Sequence, residues 1–407
     1  MGIILFDRTY SFPLEGCPVK GRSRKSRIII LGGGFGGIAC SKKAASVKNH
    51  EILLLDKNPY TTMLPSLPDV AGDRIEARYL EEDISRMVPS NIRVSREEVQ
   101  SVSLDRSIIQ TNKQEYRYDY LAIATGSVTN FYGFNQNLEG IHTLTSLEEG
   151  KRIRYEFPRY LERTKKPHVI LAGAGYTALE LAGALAVRAG EKGAALRITL
   201  VEKADRILPF LTPKQHDHIR RYMDRMGFRL LVSDSIEGFD GSNVRLHSGR
   251  EFSDCFICWT AGTKFAIPQI EGDIERIPDG RIRVNENLEV PGYPGVFAIG
   301  DSAAINSEGG YLRKAVNFAV YSGTRAGDNI RRSIGGRPLR AFHPIDLGWV
   351  IPLHKDSVGR IFGKIPVSGR IGLKMHYFMC GFRNFNWKNA LAFYKMALFN
   401  TKGGKRR

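Results

Sequence analysis

The sequence predicts an α/β protein built on two parallel sheets and completed by a helical C-terminal segment. An apolar run, Arg27–Leu31, leads into a glycine cluster, a helical stretch and a second apolar run, Glu51–Asp56. Such β-α-β order is typical of a buried parallel sheet. The same order recurs at His168–Ala172 and 197–202, roughly 140 residues later. A repeat at this spacing indicates two copies of one domain.

The chain is predicted to divide into five consecutive segments. Further strands are expected at 120–124, 255–260 and 296–301, and a helix at 315–333. The predicted segments are an N-terminal extension (1–25), the first part of one domain (26–145), a second domain (146–268), the remainder of the first domain (269–335) and a C-terminal segment (336–407).

Composition and charge exclude several classes of protein. The chain has 407 residues, of which 42% are hydrophobic and 25% charged, so intrinsic disorder is excluded. Its net charge of +18 suits an anionic lipid surface, an acidic substrate or nucleic acid. Much of the excess is C-terminal, because residues 351–407 contain Asp356 as their single acid. No apolar run is long enough to predict a membrane-spanning helix, and the first residues do not resemble a secretory signal.

The first glycine cluster satisfies the pattern G-x-G-x-x-G at Gly32, Gly34 and Gly37. The first glycine permits a tight turn, the second lets the backbone meet a pyrophosphate, and the third lets helix and strand pack closely. An acid at the end of the next strand can accept hydrogen bonds from a ribose. The candidate residues of this dinucleotide site are Gly32, Gly34, Phe35, Gly36, Gly37, Asp56 and Lys57.

The second cluster has glycines at 173 and 175, with alanine in the third position, which the fingerprint permits. Glu202 ends the following strand. A carboxylate there favours a free ribose 2′-hydroxyl and repels a 2′-phosphate, so NADH is preferred over NADPH, although Lys203 and Arg206 oppose this effect. The candidate residues here are Gly173, Gly175, Tyr176, Thr177, Glu202 and Gly262.

Two other predicted strand ends carry small or acidic residues. Thr125 and Gly126 follow one strand, and Gly300 and Asp301 end another. Ligands of parallel sheets bind at the carboxyl ends of the strands, where Asp301 could hold a ribityl hydroxyl. Two dinucleotide sites in one chain suggest FAD and NADH held face to face.

These motifs resemble the flavoproteins with two dinucleotide-binding domains, and among them the type II NADH:quinone oxidoreductases. The resemblance covers about 26–335 and includes Leu64-Pro65, 118–126, 173–183, 200–209, 259–262 and Gly300-Asp301. It implies that the first site holds FAD and the second NADH, and that Glu180 lies near nicotinamide and flavin. It also implies a quinone acceptor, a homodimer, and peripheral attachment to the cytoplasmic face of a membrane through C-terminal helices. Proton pumping is not expected, because no predicted segment crosses the bilayer.

The segment that corresponds to the quinone site departs from the family pattern Ala-Gln-x-Ala-x-Gln-x-Gly. This chain has Val-Asn-Phe-Ala-Val-Tyr-Ser-Gly at 316–323. Asn317 and Tyr321 replace the two glutamines. Asn317 retains an amide, whereas Tyr321 offers a hydroxyl instead. The candidate acceptor residues are therefore Asn317, Ala319 and Tyr321, and a different acceptor stays open.

The five cysteines predict neither a redox disulfide nor a metal site. They are scattered and odd in number, which is typical of a reducing compartment. Disulfide reductases of this superfamily carry a close pair near the flavin, and sulfide:quinone oxidoreductases need cysteines on both sides of it. Cys255 and Cys258 fall three apart in a predicted strand, so their side chains should point to opposite faces. No second Cys or His pair completes a zinc site.

The C-terminal segment has apolar residues at 387, 390, 391, 394 and 398, which is helical spacing, with Lys388 and Lys395 on another face. A helix with aromatic anchors and basic edges suits an anionic membrane surface. The other interpretation is a dimer or core helix with a solvated basic tail.

The predicted function is NADH oxidation through FAD, with a membrane quinone as acceptor. One alternative is a soluble NADH-dependent reductase of another acceptor. A second alternative is a redox-sensing flavoprotein that resembles apoptosis-inducing factor and binds nucleic acid through its basic surface. Nucleic acid is the less favoured partner, because the chain lacks an aromatic stacking platform outside the C-terminal segment.

Overall fold

The computed structural model describes residues 25–47, 49–134, 139–267 and 269–399. Its centre consists of two five-stranded, all-parallel sheets. The first has the order Val296–Ala298, Tyr120–Ile123, Arg27–Leu31, Glu51–Asp56 and Ile92–Arg96. The second has the order Ile141–His142, Cys255–Trp259, His168–Ala172, Arg197–Val201 and Phe228–Leu231. Four strands of each sheet follow the same order, and only the edge strand differs, since Val296–Ala298 comes last in its sheet along the chain and Ile141–His142 comes first. The predicted fold class and its duplication are confirmed.

Helices pack on these sheets and on one another. The α-helices of the described ranges are α1 (Phe35–Ala44), α2 (Leu67–Ala71), α3 (Ile84–Met87), α4 (Leu147–Arg163), α5 (Tyr176–Glu191), α6 (Pro213–Met226), α7 (Val316–Ile334), α8 (Gly369–Phe382) and α9 (Trp387–Phe399). Single 3₁₀ turns occur at Leu64–Ser66, Ala77–Tyr79 and Gly300–Ser302. None of the described helices is long and apolar enough to cross a bilayer.

Smaller antiparallel sheets surround the two central ones. One has the order Gln269–Glu271, Val99–Ser103, Ile108–Thr111 and Glu115–Arg117, in which the first pair is parallel. Another contains Ile236–Phe239, Val244–Leu246 and Glu251–Phe252. The two-stranded pairs are Tyr60–Thr62 with Glu81–Asp83, Ile282–Arg283 with Ala303–Ala304 in parallel, and Asn306–Ser307 with Gly310–Tyr311.

The chain passes between the two halves along one antiparallel pair, Ser127–Thr129 with Thr263–Phe265. The first of these strands follows the first central sheet, and the second follows the other. The outgoing and returning segments hydrogen-bond to each other and so form a short two-stranded connection. The predicted boundaries of the five segments stay predictions.

The C-terminal segment contains a sheet that its sequence did not lead us to expect. Gly348–Leu353, Asp356–Ile361 and Ile365–Ser368 form three antiparallel strands before α8 and α9. Tyr377 on α8 and Phe393 on α9 are almost completely buried and belong to one hydrophobic core with residues of α5. The two helices are therefore part of the folded core and not a loosely attached tail. The N-terminal extension 1–24 and residues 400–407 lie outside the described residues.

Candidate active site

The first glycine turn has two glycines that packing requires and one that leaves open space. Gly32 has a φ of +100°, and a β-carbon there would lie 2.4 Å from the carbonyl oxygen of Ala124. A β-carbon at Gly37 would lie 1.8 Å from the carbonyl oxygen of Gly32. At Gly34, in contrast, a β-carbon would meet no described atom within 4 Å. This is the arrangement that lets a ligand approach the backbone at the middle glycine.

The second turn repeats this geometry. Gly173 has a φ of +90°, and a β-carbon there would lie 2.7 Å from the Cα of Ala261. Gly175 corresponds to Gly34, because a β-carbon there would again have no described atom within 4 Å. Each half of the molecule thus has a glycine turn at the carboxyl end of a central strand. The backbone of each turn is accessible to a ligand at its middle glycine.

The acids at the ends of the neighbouring strands hold these turns in place. The carboxylate of Asp56 accepts hydrogen bonds of 2.7 Å from the backbone N–H groups of Gly33 and Asn58. Glu202 accepts two bonds in the same way, of 2.9 and 3.0 Å, from backbone N–H groups beside the second turn. Burial raises the pKa of Asp56, and the two N–H groups and Lys57 offset part of that rise. Each carboxylate lies beside its glycine turn, where a ribose would be held.

Helices α1 and α5 begin directly after the turns with no side-chain cap. Their N-cap residues are glycines, and neither has an acid in its first turn. Helices α4 and α6, in contrast, have capping boxes in which side chains satisfy the first N–H groups. The uncapped N–H groups of α1 and α5 are the donors that a pyrophosphate needs. The residues present therefore fit a dinucleotide at each turn.

The other predicted residues of the first site lie at the ends of two adjacent strands, Tyr120–Ile123 and Val296–Ala298. Ser302, which sequence reasoning missed, accepts a 3.1 Å hydrogen bond from the backbone N–H of Gly126 and lies 3.5 Å from the Thr125 hydroxyl. The Ser127 hydroxyl donates to Asp301 at 3.3 Å. Burial raises the pKa of Asp301, while the charge of Lys314 acts against that rise. Gly300, directly before Asp301 in the chain, has a φ of +58°.

Helix α7 packs directly on the first turn and on α1. A β-carbon at Gly323 would lie 2.1 Å from the carbonyl oxygen of Gly36, and one at Gly36 would lie 3.3 Å from that of Ala319. The segment with the candidate acceptor residues therefore contacts the first site. Asn317 donates to the Ile345 carbonyl at 3.2 Å, and the Tyr321 hydroxyl accepts from Arg383 at 3.3 Å.

The remaining predicted residues of the second site lie at its edge. Gly262 has a φ of +143°, and a β-carbon there would lie 2.5 Å from the Tyr132 hydroxyl. Tyr176 opens α5, followed by Thr177, and its ring packs on Phe210 and Trp349 at centroid distances of 5.5 and 5.8 Å. Trp349 comes from the unexpected C-terminal sheet, so that sheet helps to shape this end of the site.

Glu180 lies in the first half of α5, beside a buried polar network that sequence reasoning missed. Burial, followed by the charge of Asp69, raises its pKa well above the usual range, which favours the protonated form of the carboxyl. Asp69 in turn accepts a 2.9 Å hydrogen bond from the Tyr377 hydroxyl and pairs with Arg74 at 3.3 Å. Asp69 and Tyr377 are separated by some 300 residues, and no local pattern connects them.

The network continues at Cys380, whose sulfur lies 3.6 Å from His376 Nε2 and 3.7 Å from the Ser66 hydroxyl. Burial lowers the pKa of His376 to about 4 and raises that of Cys380 to about 12. Both groups are therefore neutral at pH 7. The polar groups beside Glu180 thus come from α2, its flanking turn and α8.

Both glycine turns border one hydrophobic core. Phe35 and Tyr176, the first residues of α1 and α5, pack against the cluster that contains the buried faces of α8 and α9. Phe35 also contacts Phe385, between those two helices, at a centroid distance of 5.4 Å. The fold therefore brings the two turns, Glu180 and the C-terminal segment together around one interior.

This duplicated architecture defines a class of dinucleotide-dependent oxidoreductases. Residues 26–323 match the family model described as pyridine nucleotide-disulphide oxidoreductase, and the chain belongs to that family. The chain is 26% identical to the type II NADH:quinone oxidoreductase of Staphylococcus aureus, over 85% of this chain and 92% of that protein. The resemblance inferred from the motifs is confirmed, and the predicted cofactors, FAD and NADH, agree with this membership.

Solved structures have the same fold. NDH2 from Plasmodium falciparum in complex with NADH superposes with a TM-score of 0.79 at 17% identity, over 92% of this chain and 99% of that one. The sulfide:quinone oxidoreductase of Aquifex aeolicus superposes with a TM-score of 0.73 at 18% identity, over 94% and 100%. At these identities the likeness shows the fold alone.

The two glycines of the second turn give a matched test of this site. Gly175→Ala is expected to weaken NADH binding at least tenfold without loss of stability, because the new methyl group enters open space where the ligand would approach. Gly173→Ala is expected to destabilise the fold by about 1–3 kcal/mol, because of its positive φ and the contact with Ala261. Fluorescence titration with NADH and thermal denaturation separate the effects. Unchanged NADH affinity in Gly175→Ala would place the cofactor elsewhere.

Proposed function

We propose that this protein oxidises NADH through a bound FAD and passes the electrons to a membrane quinone, without pumping protons. The observation that carries the proposal is the pair of glycine turns. Each has an uncapped helix and a carboxylate at the next strand end, and the two turns border one core. The type II enzyme of Staphylococcus aureus supports the choice of reductant and acceptor.

In this proposal each half of the molecule holds one dinucleotide. The first turn, with Asp56, Thr125, Gly126 and Asp301, would hold FAD, and the second turn, with Glu202 and Gly262, would hold NADH. FAD, once bound, supplies the ability to accept hydride and pass electrons onward. The chain supplies free N–H donors for the phosphates and carboxylates that orient the riboses.

Glu180 would hold a proton next to the reacting rings. Desolvation and the nearby charge of Asp69 raise the pKa of its half-buried carboxyl and so favour the protonated form. A neutral carboxyl can donate a hydrogen bond, whereas a carboxylate in the same place would only accept one. Asp69 is positioned by Tyr377 and Arg74 and acts on Glu180 through its charge.

Cysteine chemistry plays no part in this proposal. The four cysteines of the described residues are free and buried, and burial raises the pKa of Cys40, Cys255 and Cys380 to about 12. A thiolate is the reactive form of cysteine, so these thiols are poor nucleophiles. Cys255 and Cys258 belong to different hydrophobic clusters, as their spacing in a strand predicts. Cys17 lies outside the described residues.

The C-terminal helices are proposed to dock the enzyme on an anionic membrane. One face of α9 is buried through Ala392, Phe393 and Met396, yet Trp387 and Leu398 on another face are 72% and 65% exposed. On α8 the exposed apolar residues are Ile371, Phe378, Met379 and Phe382. Lys374, Lys388 and Lys395 lie among them and are also exposed. Aromatic anchors with basic neighbours fit an anionic lipid surface.

Point substitutions test this docking better than truncation. Removing residues 371–407 would also remove Tyr377 and Phe393 from the core. Trp387→Ser with Leu398→Ser is expected to reduce binding to anionic vesicles at least tenfold, because each side chain would otherwise bury apolar surface worth about 1.5–3 kcal/mol. Tyr155→Ser on α4 is the control, since Tyr155 is 60% exposed but remote in sequence from these helices. Equal co-sedimentation of all variants would exclude this face.

The acceptor is tested on the purified full-length protein without oxygen. The absorption spectrum is recorded during addition of NADH and then of a short-chain quinone. The proposal expects a flavin spectrum that NADH bleaches and quinone restores. If NADH bleaches the flavin and quinone does not restore it, the NADH reaction stands and quinone is rejected as the acceptor. Asn317 and Tyr321, which replace the two glutamines of the family pattern, would then be the reason. The absence of flavin after reconstitution with FAD would overturn the proposal. The homodimer and the cytoplasmic face of the membrane remain parts of the proposal.

A further inference from the structure

A basic cavity of about 390 Å³ lies beside α7. Its walls come from the end of α1, the middle of α7 and the segment that leads to the C-terminal sheet. Its basic lining residues are Lys43, Arg325, Arg331, Arg340 and His343. Among the described lining residues, Asp328 is the single acid.

Asp328 balances only part of this charge. Arg331 donates a 2.5 Å hydrogen bond to its carboxylate, and Arg325 lies 3.9 Å away. Burial would raise the pKa of Asp328, but the Arg331 hydrogen bond and the charges of Arg331, Lys43 and Arg340 lower it overall. One carboxylate thus faces four cationic side chains, which leaves the cavity strongly positive.

The structure holds these cations together although they repel one another. Asn329, which is fully buried, donates 2.9 Å hydrogen bonds to the carbonyl oxygens of Asn287 and Arg340 and accepts one from the Arg340 N–H. The Phe342 N–H donates to the Glu286 carbonyl at 2.7 Å, and its side chain is buried. The backbone that carries Arg340 is therefore fixed in place, although the Arg340 side chain is exposed. A fixed backbone reduces the conformational freedom that is lost when an anion binds.

The cavity also adjoins the exposed apolar helices. Tyr321 forms part of its wall, and the Tyr321 hydroxyl accepts the hydrogen bond from Arg383. Arg383 directly follows Phe382, which is 62% exposed at the end of α8. A molecule with both an anionic group and an apolar chain could therefore contact both features.

We propose that this cavity binds the phosphate group of an anionic ligand, and that the ligand is the headgroup of an anionic lipid. Guanidinium groups match the geometry of phosphate oxygens, and the lining contains three of them. The choice of a lipid over free phosphate as the ligand rests on the proposed membrane contact. The proposal of a phosphate site does not depend on that contact.

The test compares two double variants that remove the same charge. Arg325→Gln with Arg340→Gln removes two cations from the cavity. Arg220→Gln with Arg221→Gln removes two exposed cations from α6. Calorimetric titration of the full-length, FAD-reconstituted protein uses two probes: inorganic phosphate, and dihexanoyl phosphatidylglycerol below its micelle concentration. Flavin content and melting temperature show that each variant is folded.

We expect the short-chain lipid to bind more tightly than phosphate, and its affinity to fall about tenfold or more in the cavity variant and less than twofold in the control. Equal binding of phosphate and lipid, with the same loss, would support the phosphate site and overturn the lipid source. No saturable binding of either probe, or equal losses in both variants, would overturn the site. The Trp387→Ser and Leu398→Ser variant should retain binding of the monomeric lipid, which separates this proposal from docking by the apolar face.

Discussion

Replacing Glu180 with glutamine is expected to lower kcat for NADH oxidation by about 10²-fold or more, with FAD still bound. General acid–base groups contribute about 10²–10⁴-fold to catalysis. Glutamine keeps the size of the protonated carboxyl but cannot release a proton. Stopped-flow reduction of the flavin by NADH, together with steady-state turnover, measures the effect. Glu115→Gln is the control, because Glu115 is exposed on a strand of the four-stranded sheet.

The same variant tests the state of the carboxyl without reference to activity. The pKa of Glu180 is raised above its ordinary value of 4.5 in the folded protein, so the wild-type loses stability as pH rises from that value toward the folded pKa. Glutamine does not ionise and avoids this loss. We therefore expect the melting temperature of Glu180→Gln relative to wild-type to increase with pH above about 4.5, and to show no such change below it. A pH-independent difference, together with unchanged turnover, would make Glu180 an ordinary helix residue.

The wild-type protein is expected to use NADH with a kcat/KM about 10²-fold above that for NADPH. Glu202 lies where the adenosine ribose would be held, and a carboxylate beside a 2′-phosphate costs several kcal/mol. Lys203 and Arg206 are exposed and reduce this penalty only in part. Steady-state kinetics with both nucleotides give the ratio. Equal or reversed preference would contradict the assignment of this carboxylate.

Glu202 also has structural contacts, so its substitution changes more than the charge near the ribose. One of its oxygens accepts a hydrogen bond from the Ala174 N–H in the second glycine turn, and the other accepts from the Ala204 N–H. Glu202→Gln keeps one acceptor and loses the charge, so the NADPH reaction should improve relative to the NADH reaction while both KM values rise. Lys203→Gln is the complementary control, because it removes a charge of opposite sign and should increase the preference for NADH.

Sequence reasoning was effective where function requires a local geometry. Gly32 and Gly173 must adopt positive φ, and Gly37 must let a helix pack against a strand, so these requirements are visible in any single sequence with this pattern. The two parallel sheets followed from the repeated apolar runs, which are buried on both faces of such sheets. Strand periodicity alone predicted that the side chains of Cys255 and Cys258 point to opposite faces of the sheet.

The C-terminal segment was only partly predictable. Its apolar stripe at 387, 390, 391, 394 and 398 was recognised from helical spacing, but α9 is apolar on both sides, and the opposite face is the one that packs into the core. Periodicity cannot rank two apolar faces, since burial depends on which neighbours the fold provides. The three short strands before α8 were missed because glycine and proline interrupt their patterns.

The sequence by itself determined the duplicated α/β architecture, the two glycine turns and the carboxylates beside them, because each depends on residues close together in one β-α-β unit. Only the tertiary structure decided that Tyr377 and Arg74 hold Asp69 beside Glu180, and that Lys43, Arg325 and Arg340 share one cavity. These groups are far apart along the chain. Their chemistry arises from shared burial and charge, which exist only once distant helices have packed together.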